Sequence, residues 1–260
     1  MKRGIRMRLL IYLFIVPIMI FQTLEVEASE VEPVLISTHE EDVTGDGKLD
    51  TIKLYGVHFS PDSVYYKDIF AIITSESEEW RIDYQGGYDP TIQLIDLNHD
   101  NVPDIFYQSP TGGSGGLYTS KLDTLARGEL ASIPLPEQDY IKGYFEDGFQ
   151  AVIEIAPNTK PILLDVKDRK DDYIRLGIFD KEGGLLQETP LMIDPIAFFE
   201  PIEISDRNGY GLKSFKQISG AYHADQLGVV ETLWYYEDNK WIALKTSWKG
   251  TDEYDAAKFY

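Results

Sequence analysis

A nine-residue acidic loop occurs twice in this chain, and its chemistry constrains what can surround it. The first copy reads Asp42-Val43-Thr44-Gly45-Asp46-Gly47-Lys48-Leu49-Asp50, the second Asp96-Leu97-Asn98-His99-Asp100-Asn101-Val102-Pro103-Asp104. Oxygen-bearing side chains stand at positions 1, 3, 5 and 9 of both, and Gly47 and Asn101, which tolerate a left-handed backbone, occupy position 6. A chain must curl tightly to aim alternate side chains at one point, and a left-handed residue permits that turn. Carboxylates held about 4 Å apart repel by roughly 4 kcal/mol per pair at an effective dielectric of about 20. A hard cation among them removes the repulsion, and an oxygen-rich, flexible, all-protein cage favours Ca²⁺ over Mg²⁺.

The opening of each loop follows the pattern of an EF-hand, but its end does not. Position 12 is Lys53 in one copy and Tyr107 in the other, where an EF-hand places a bidentate Glu. The flanks are β-branched and aromatic, as in Thr51-Ile52-Lys53-Leu54-Tyr55 and Asp104-Ile105-Phe106-Tyr107, and Thr91-Ile92-Gln93-Leu94-Ile95 alternates. These loops therefore join strands. Polar hairpin turns, which Asp and Gly also crowd, are the plainer alternative.

The segments Asp42 to Leu54 and Leu94 to Tyr107 resemble the FG-GAP/VCBS repeat, a D-x-[ND]-x-D-G-x-x-D loop between two strands. The resemblance covers roughly residues 31–120, a stretch that also looks like secreted VCBS-type proteins of Gram-positive bacteria. It implies blades of a β-propeller and calcium in the loops. The implied ligands are the side chains of Asp42, Thr44, Asp46 and Asp50 with the Lys48 carbonyl, and of Asp96, Asn98, Asp100 and Asp104 with the Val102 carbonyl. Two residues depart from the pattern. Thr44 offers a hydroxyl where Asn or Asp is usual, and Asn101 stands where Gly is usual.

The N-terminus carries an export signal. Lys2, Arg3, Arg6 and Arg8 precede the apolar run Leu9 to Phe21, and Val26-Glu27-Ala28 supplies small residues for cleavage after Ala28. Thirteen apolar residues fall short of the ~20 that span a bilayer, so membrane insertion would follow only if the signal stays uncleaved. The expectation is a secreted or cell-envelope protein with residues 1–28 removed and 29–260 forming a single β domain. With no cysteine in the chain, neither a disulfide nor a lipidated Cys is available, leaving a metal as the staple. Without residues 1–28 the chain has 20 basic and 42 acidic residues, a net charge of −22. Such a chain does not seek nucleic acid.

No long stretch after the signal shows a 3.6 period, Leu117 to Ala131 being the one helix rival, so the class is all-β. Strands are expected at Val34–Ser37, Ile69–Thr74, Glu79–Tyr84, Leu117–Leu125, Pro161–Val166, Tyr173–Phe179, Gly184–Glu188, and in the hairpin Val229–Tyr236 with Lys240–Trp248. Aligning Asp46-Gly47, Asp100-Asn101, Asp147-Gly148 and Tyr210-Gly211 gives intervals of 54, 47 and 63, each pair followed by an extended run. That spacing suggests a propeller-like chain of about four blade-like units, with the two loops in 29–133 and a degenerate half in 134–260. In the fourth unit Asp206 and Asn208 hold positions 1 and 3; Phe145 and Tyr210 at ligand positions exclude metal from the last two units.

Rival sites are weaker. Gly112-Gly113-Ser114-Gly115-Gly116 matches the G-x-S-x-G of a nucleophile elbow, which His223 could complete, but that motif needs a helix after it. A Gly-rich loop across the mouth of the second cation site, able to present backbone amides to an anion, is the preferred expectation. His39, His58, His99 and His223 lack zinc spacing. Trp234-Tyr235-Tyr236, Trp241 and Trp248 could stack on sugars, though alternating aromatics on a hairpin suit a core. The functional expectation is a monomeric calcium-binding β-repeat protein, with two structural Ca²⁺ sites and an extracellular or cell-wall ligand. A secreted hydrolase of polysaccharide or peptide is the alternative.

Overall fold

The alternating runs become strands, and consecutive strands pair. β1 (Val34–Glu41), β2 (Asp50–His58), β3 (Tyr66–Thr74) and β4 (Glu79–Gly87) form the first antiparallel sheet. β5 (Thr91–Ile95), β6 (Asp104–Pro110), β7 (Tyr118–Thr124) and β8 (Ala131–Ser132) form the second. β9 (Lys142–Glu146), β10 (Gln150–Glu154) and β11 (Ile162–Asp165) form the third. β12 (Met192–Glu203), β13 (Tyr210–Ser219), β14 (Gln226–Glu237) and β15 (Lys240–Gly250) form the fourth. The fold is thus all-β, four antiparallel meanders in chain order. This computed structural model describes residues 32–253 other than 77, 114 and 208, within one compact unit, Val31–Tyr260. The expected signal segment 1–28, Ser114 and Asn208 lie outside the described residues. Among the described residues no helix is long and apolar enough to cross a membrane.

Shared cores join the sheets. Ile52, Leu54, Ile69 and Ile73 of the first sheet pack with Ile92, Ile105 and Tyr107 of the second. Phe106 and Leu122, on the other face of the second sheet, pack with Phe199, Leu212 and Trp234 of the fourth. The fourth sheet in turn shares a core with Phe145, Ala151 and Ile153 of the third. β6 is therefore buried on both faces, which is why Ile105-Phe106-Tyr107 reads as a continuous apolar run.

Two stretches differ from expectation. Tyr173–Phe179 is not a strand: Lys170–Arg175 is a short helix, α1, with Asp171 and Asp172 in its first turn and Arg175 in its last. Those charges oppose the helix dipole ends, and Asp172 accepts from Arg175 at 2.8 Å one turn away. Gly184–Glu188 contributes only an isolated bridge, Phe179 to Leu185. β12 escaped notice because Pro195 and Pro201 interrupt it. It is an edge strand, and its register shifts between Ile193 and Phe198, where Pro195 needs no partner for a missing N–H.

The four aligned pairs all fall near one structural position, the turn from the first to the second strand of each sheet. Asp46-Gly47 lies between β1 and β2, Asp100-Asn101 between β5 and β6, and Asp147-Gly148 between β9 and β10, while Tyr210-Gly211 opens β13. Residues 133–141, with Pro134 and Pro136, link the second sheet to the third.

Candidate metal centre

The two acidic loops share one internal framework. Position 1 turns its carboxylate inward: Asp42 accepts from the backbone N–H groups of Asp46 (3.2 Å) and Gly47 (2.8 Å), Asp96 from those of Asp100 (3.2 Å) and Asn101 (3.0 Å). Position 9 closes the loop from the strand side. Asp50 accepts from Val43 (3.1 Å) and Thr44 (3.0 Å), and Asp104 from Leu97 (2.9 Å) and Asn98 (3.0 Å). Position 5 accepts from position 7, Asp46 from Lys48 at 2.8 Å and Asp100 from Val102 at 2.9 Å. Positive φ recurs at positions 4 and 6, at Gly45 (73°) and Gly47 (87°), then at His99 (63°) and Asn101 (68°). Position 2 is a buried anchor, Val43 in the core of the first two sheets and Leu97 in the core between the second and fourth.

Burial divides the oxygens in the same way in both loops. Asp50 and Asp104 are buried, whereas Asp46 and Asp100 are exposed. Burial pushes the Asp104 carboxyl up to about 7, and the Asp100 charge adds to this, while the N–H groups of Leu97 and Asn98 and a hydrogen bond with Thr124 pull it back. Asn98 donates its amide to Asp104 (3.0 Å) and to Asp100 (3.2 Å), knitting positions 3, 5 and 9 together. Lys48 pairs outward with Glu76.

The loops also touch their neighbours. A side chain at Gly45 would lie 2.7 Å from Val102, so the first loop rests on the second. The second rests on the fourth sheet through His99, whose Nδ1 and Nε2 face the carbonyls of Tyr236 (3.0 Å) and Tyr210 (2.9 Å) and whose ring stacks on Tyr235 at 4.3 Å. Gly209, with φ 104°, leaves room for that ring; a Cβ there would be 2.8 Å from it. The sequence held no signal for the partners of His99.

The donor chemistry of these loops fits a hard cation: hydroxyl, amide, carboxylate and main-chain oxygens, with neither sulfur nor imidazole among the implied ligands. Asp42, Thr44, Asp46, Lys48 and Asp50 would hold one ion, and Asp96, Asn98, Asp100, Val102 and Asp104 the other, which would supply positive charge and strand pinning. Among the described residues no three acidic, imidazole or thiol groups form a ready cluster. Three of the five implied donors in each loop are carboxylates, the others hydroxyl, amide and main-chain oxygens. In the third unit Phe145 is core and Asp147 accepts from the Leu185 N–H at 2.7 Å. In the fourth, the Ile204 N–H donates to the Gly209 carbonyl at 3.1 Å.

The Gly-rich loop is not at the mouth of the second cation site. It joins β6 to β7, at the far end of β6 from the acidic loop, and six residue steps of strand separate them by about 20 Å. Gly112, Gly113 and Gly116 instead line a cavity of about 760 Å³. His223 faces Asp194 at 3.2 Å, and His39 Nε2 lies 3.1 Å from the Ser37 hydroxyl. Trp234 is core, its indole donating to Ser214 at 2.8 Å, and Trp241 donates to the Pro134 carbonyl at 2.7 Å.

The family comparison bears on the other half of the chain. Residues 139–249, which hold the third and fourth sheets and neither acidic loop, match the family described as YybI C-terminal domain. No solved structure matches. The chain is similar to the uncharacterized protein YybI of Bacillus subtilis (strain 168), at 29% identity over 209 residues, 77% of this chain and 78% of that protein.

Proposed function

We propose that this is an exported, monomeric, calcium-stabilised β-repeat protein of FG-GAP/VCBS type that binds an extracellular or cell-wall ligand. The observation that carries the proposal is the common framework of the two loops: matching backbone hydrogen bonds accepted by the carboxylates at positions 1, 5 and 9, and positive φ at positions 4 and 6. Two unrelated polar turns have no reason to agree at every one of those points. Four blade-like meanders, each with its acidic or worn loop at the first turn, support a propeller-like unit. Export rests on the basic, apolar and small-residue stretch that opens the sequence.

Calcium here is structural. A ligand confined to the folded state adds about 1.4 kcal/mol per site at tenfold excess over Kd, which for a domain of this size raises Tm by about 3–6 °C per site. Melting with EDTA and with millimolar Ca²⁺ tests this directly. The expected result is a Ca²⁺-dependent rise in Tm, roughly halved in Asp100→Ala. Calorimetry that registers no calcium uptake by metal-stripped protein would remove the proposal.

A further inference from the structure

We propose that the cavity between the β4–β5 turn and the β6–β7 loop binds a neutral, hydroxyl-rich polysaccharide. Its volume, about 760 Å³, lies in the range of small-ligand sites. Tyr88 and Tyr118 supply aromatic walls, Asp89 and Thr91 supply side-chain oxygens, and Gly112, Gly113 and Gly116 bring bare backbone to the lining, the Gly116 N–H donating to the Gly113 carbonyl at 3.4 Å. Among the described residues no lysine, arginine or histidine lines it.

The walls are held in place without a ligand. Thr111 donates both its N–H (2.8 Å) and its hydroxyl (2.9 Å) to the Leu117 carbonyl, closing the Gly-rich loop. The Tyr88 N–H donates to Pro110 at 2.9 Å, and Ser109 donates to the Tyr88 carbonyl at 2.7 Å. Tyr65 meets the Tyr88 ring edge-on at 5.1 Å. Gly112, with φ 77°, lies against that ring so closely that a Cβ would come within 2.2 Å of it. Asp89 is exposed yet held at φ 37°, an uncommon conformation for a non-glycine residue.

Ligand class follows from charge and shape. An anion meets Asp89 with no cation to offset it, inside a strongly acidic molecule. A basic peptide would be served by a dense acidic rim, and this cavity has one carboxylate. A neutral sugar chain matches what is present. Its hydroxyls bond the side-chain oxygens of Asp89 and Thr91, and its C–H groups pack against Tyr118 and the part of the Tyr88 ring that Gly112 leaves open, aromatic surfaces whose π faces are negative. The proposal rests on the export reading for the source of the polymer, but not on the calcium loops, which lie at the other end of β6.

The test is calorimetry and affinity electrophoresis of the full chain with cellohexaose, chitohexaose and laminarihexaose, each in EDTA and in Ca²⁺, with hexalysine as a fourth probe. The expected result is binding of at least one hexasaccharide, weakened about tenfold or more by Tyr88→Ala and severalfold by Asp89→Asn, with Trp241→Ala unchanged. Should Tyr88→Ala lower Tm, Asp89→Asn at an exposed position carries the decision alone. Failure of all three saccharides to bind, preference for hexalysine, or binding indifferent to Asp89→Asn overturns it. Absent calcium uptake with intact sugar binding would sink the metal reading and leave this one standing.

Discussion

Asp104 shows how much a single residue's surroundings add to its type. An unfolded Asp titrates near 3.9, whereas burial carries Asp104 to about 7. In the metal-stripped protein the folded state then holds a proton that the unfolded chain has lost. The stability Asp104 contributes is fully present below about pH 4 and disappears as pH rises through about 7, by on the order of a few kcal/mol. Asp104→Asn keeps an oxygen for Leu97 and Asn98 but does not titrate. In EDTA, wild-type stability relative to the variant should therefore fall between about pH 4 and pH 8. Parallel profiles in chemical denaturation would dispose of this account. The loop spacing made position 9 legible from sequence. It could not reveal that Asp104 is wholly buried, because the second sheet's Leu97 and Phe106 share a core with Trp234 of the fourth sheet, a long-range contact that no local pattern announces.

At the scale of elements, legibility followed alternation and failed where long-range partners decide. β4 alternates, β3 is a β-branched and aromatic run, and β14 and β15 are rich in the same residues, each pair closing as a hairpin, so local pattern located them. Tyr173–Phe179 alternates too, yet α1 forms because Tyr173 is recruited by a residue fifty-two positions away. Asp225, in the β13–β14 turn, accepts from the Tyr173 hydroxyl (2.6 Å), from Arg169 (2.9 Å) and from the Ala221 N–H (2.8 Å). Gly220 has no Cβ because one would fall 2.1 Å from that carboxylate. Asp225→Ala strands a buried hydroxyl and a half-buried guanidinium, and should cost about 3 kcal/mol, with Asp225→Asn recovering part of it. Denaturant unfolding measures both. A loss below about 1 kcal/mol in the alanine variant would mean that α1 is held by apolar packing instead.

The whole molecule depends on how sheets made of local meanders are held to one another, and here one unannounced glutamine matters. β12 is an edge strand, so alternate residues turn their N–H and carbonyl away from β13. Phe199 does so, and Gln108 of the second sheet meets both groups. Its amide donates to the Phe199 carbonyl at 2.9 Å and accepts from the Phe199 N–H at 2.9 Å, with Ser120 bonding the same oxygen at 3.2 Å. The side chain thus acts as one extra residue of strand, inside the interface where Phe106 packs on Phe199. Gln108→Leu preserves the bulk and leaves two buried main-chain groups unpaired, so it should cost about 2–4 kcal/mol. Because this contact joins the loop-bearing sheets to the pair that match the YybI domain, the loss should also appear as reduced cooperativity. The first two sheets would then melt apart from the last two. Fluorescence from Trp80 in β4 and Trp248 in β15, each isolated by replacing the other tryptophans with Phe, reports the two halves separately. Coincident transitions in the wild type that separate in Gln108→Leu are the expected outcome; transitions that stay coincident, with stability unchanged, would show that the apolar core alone couples the sheets.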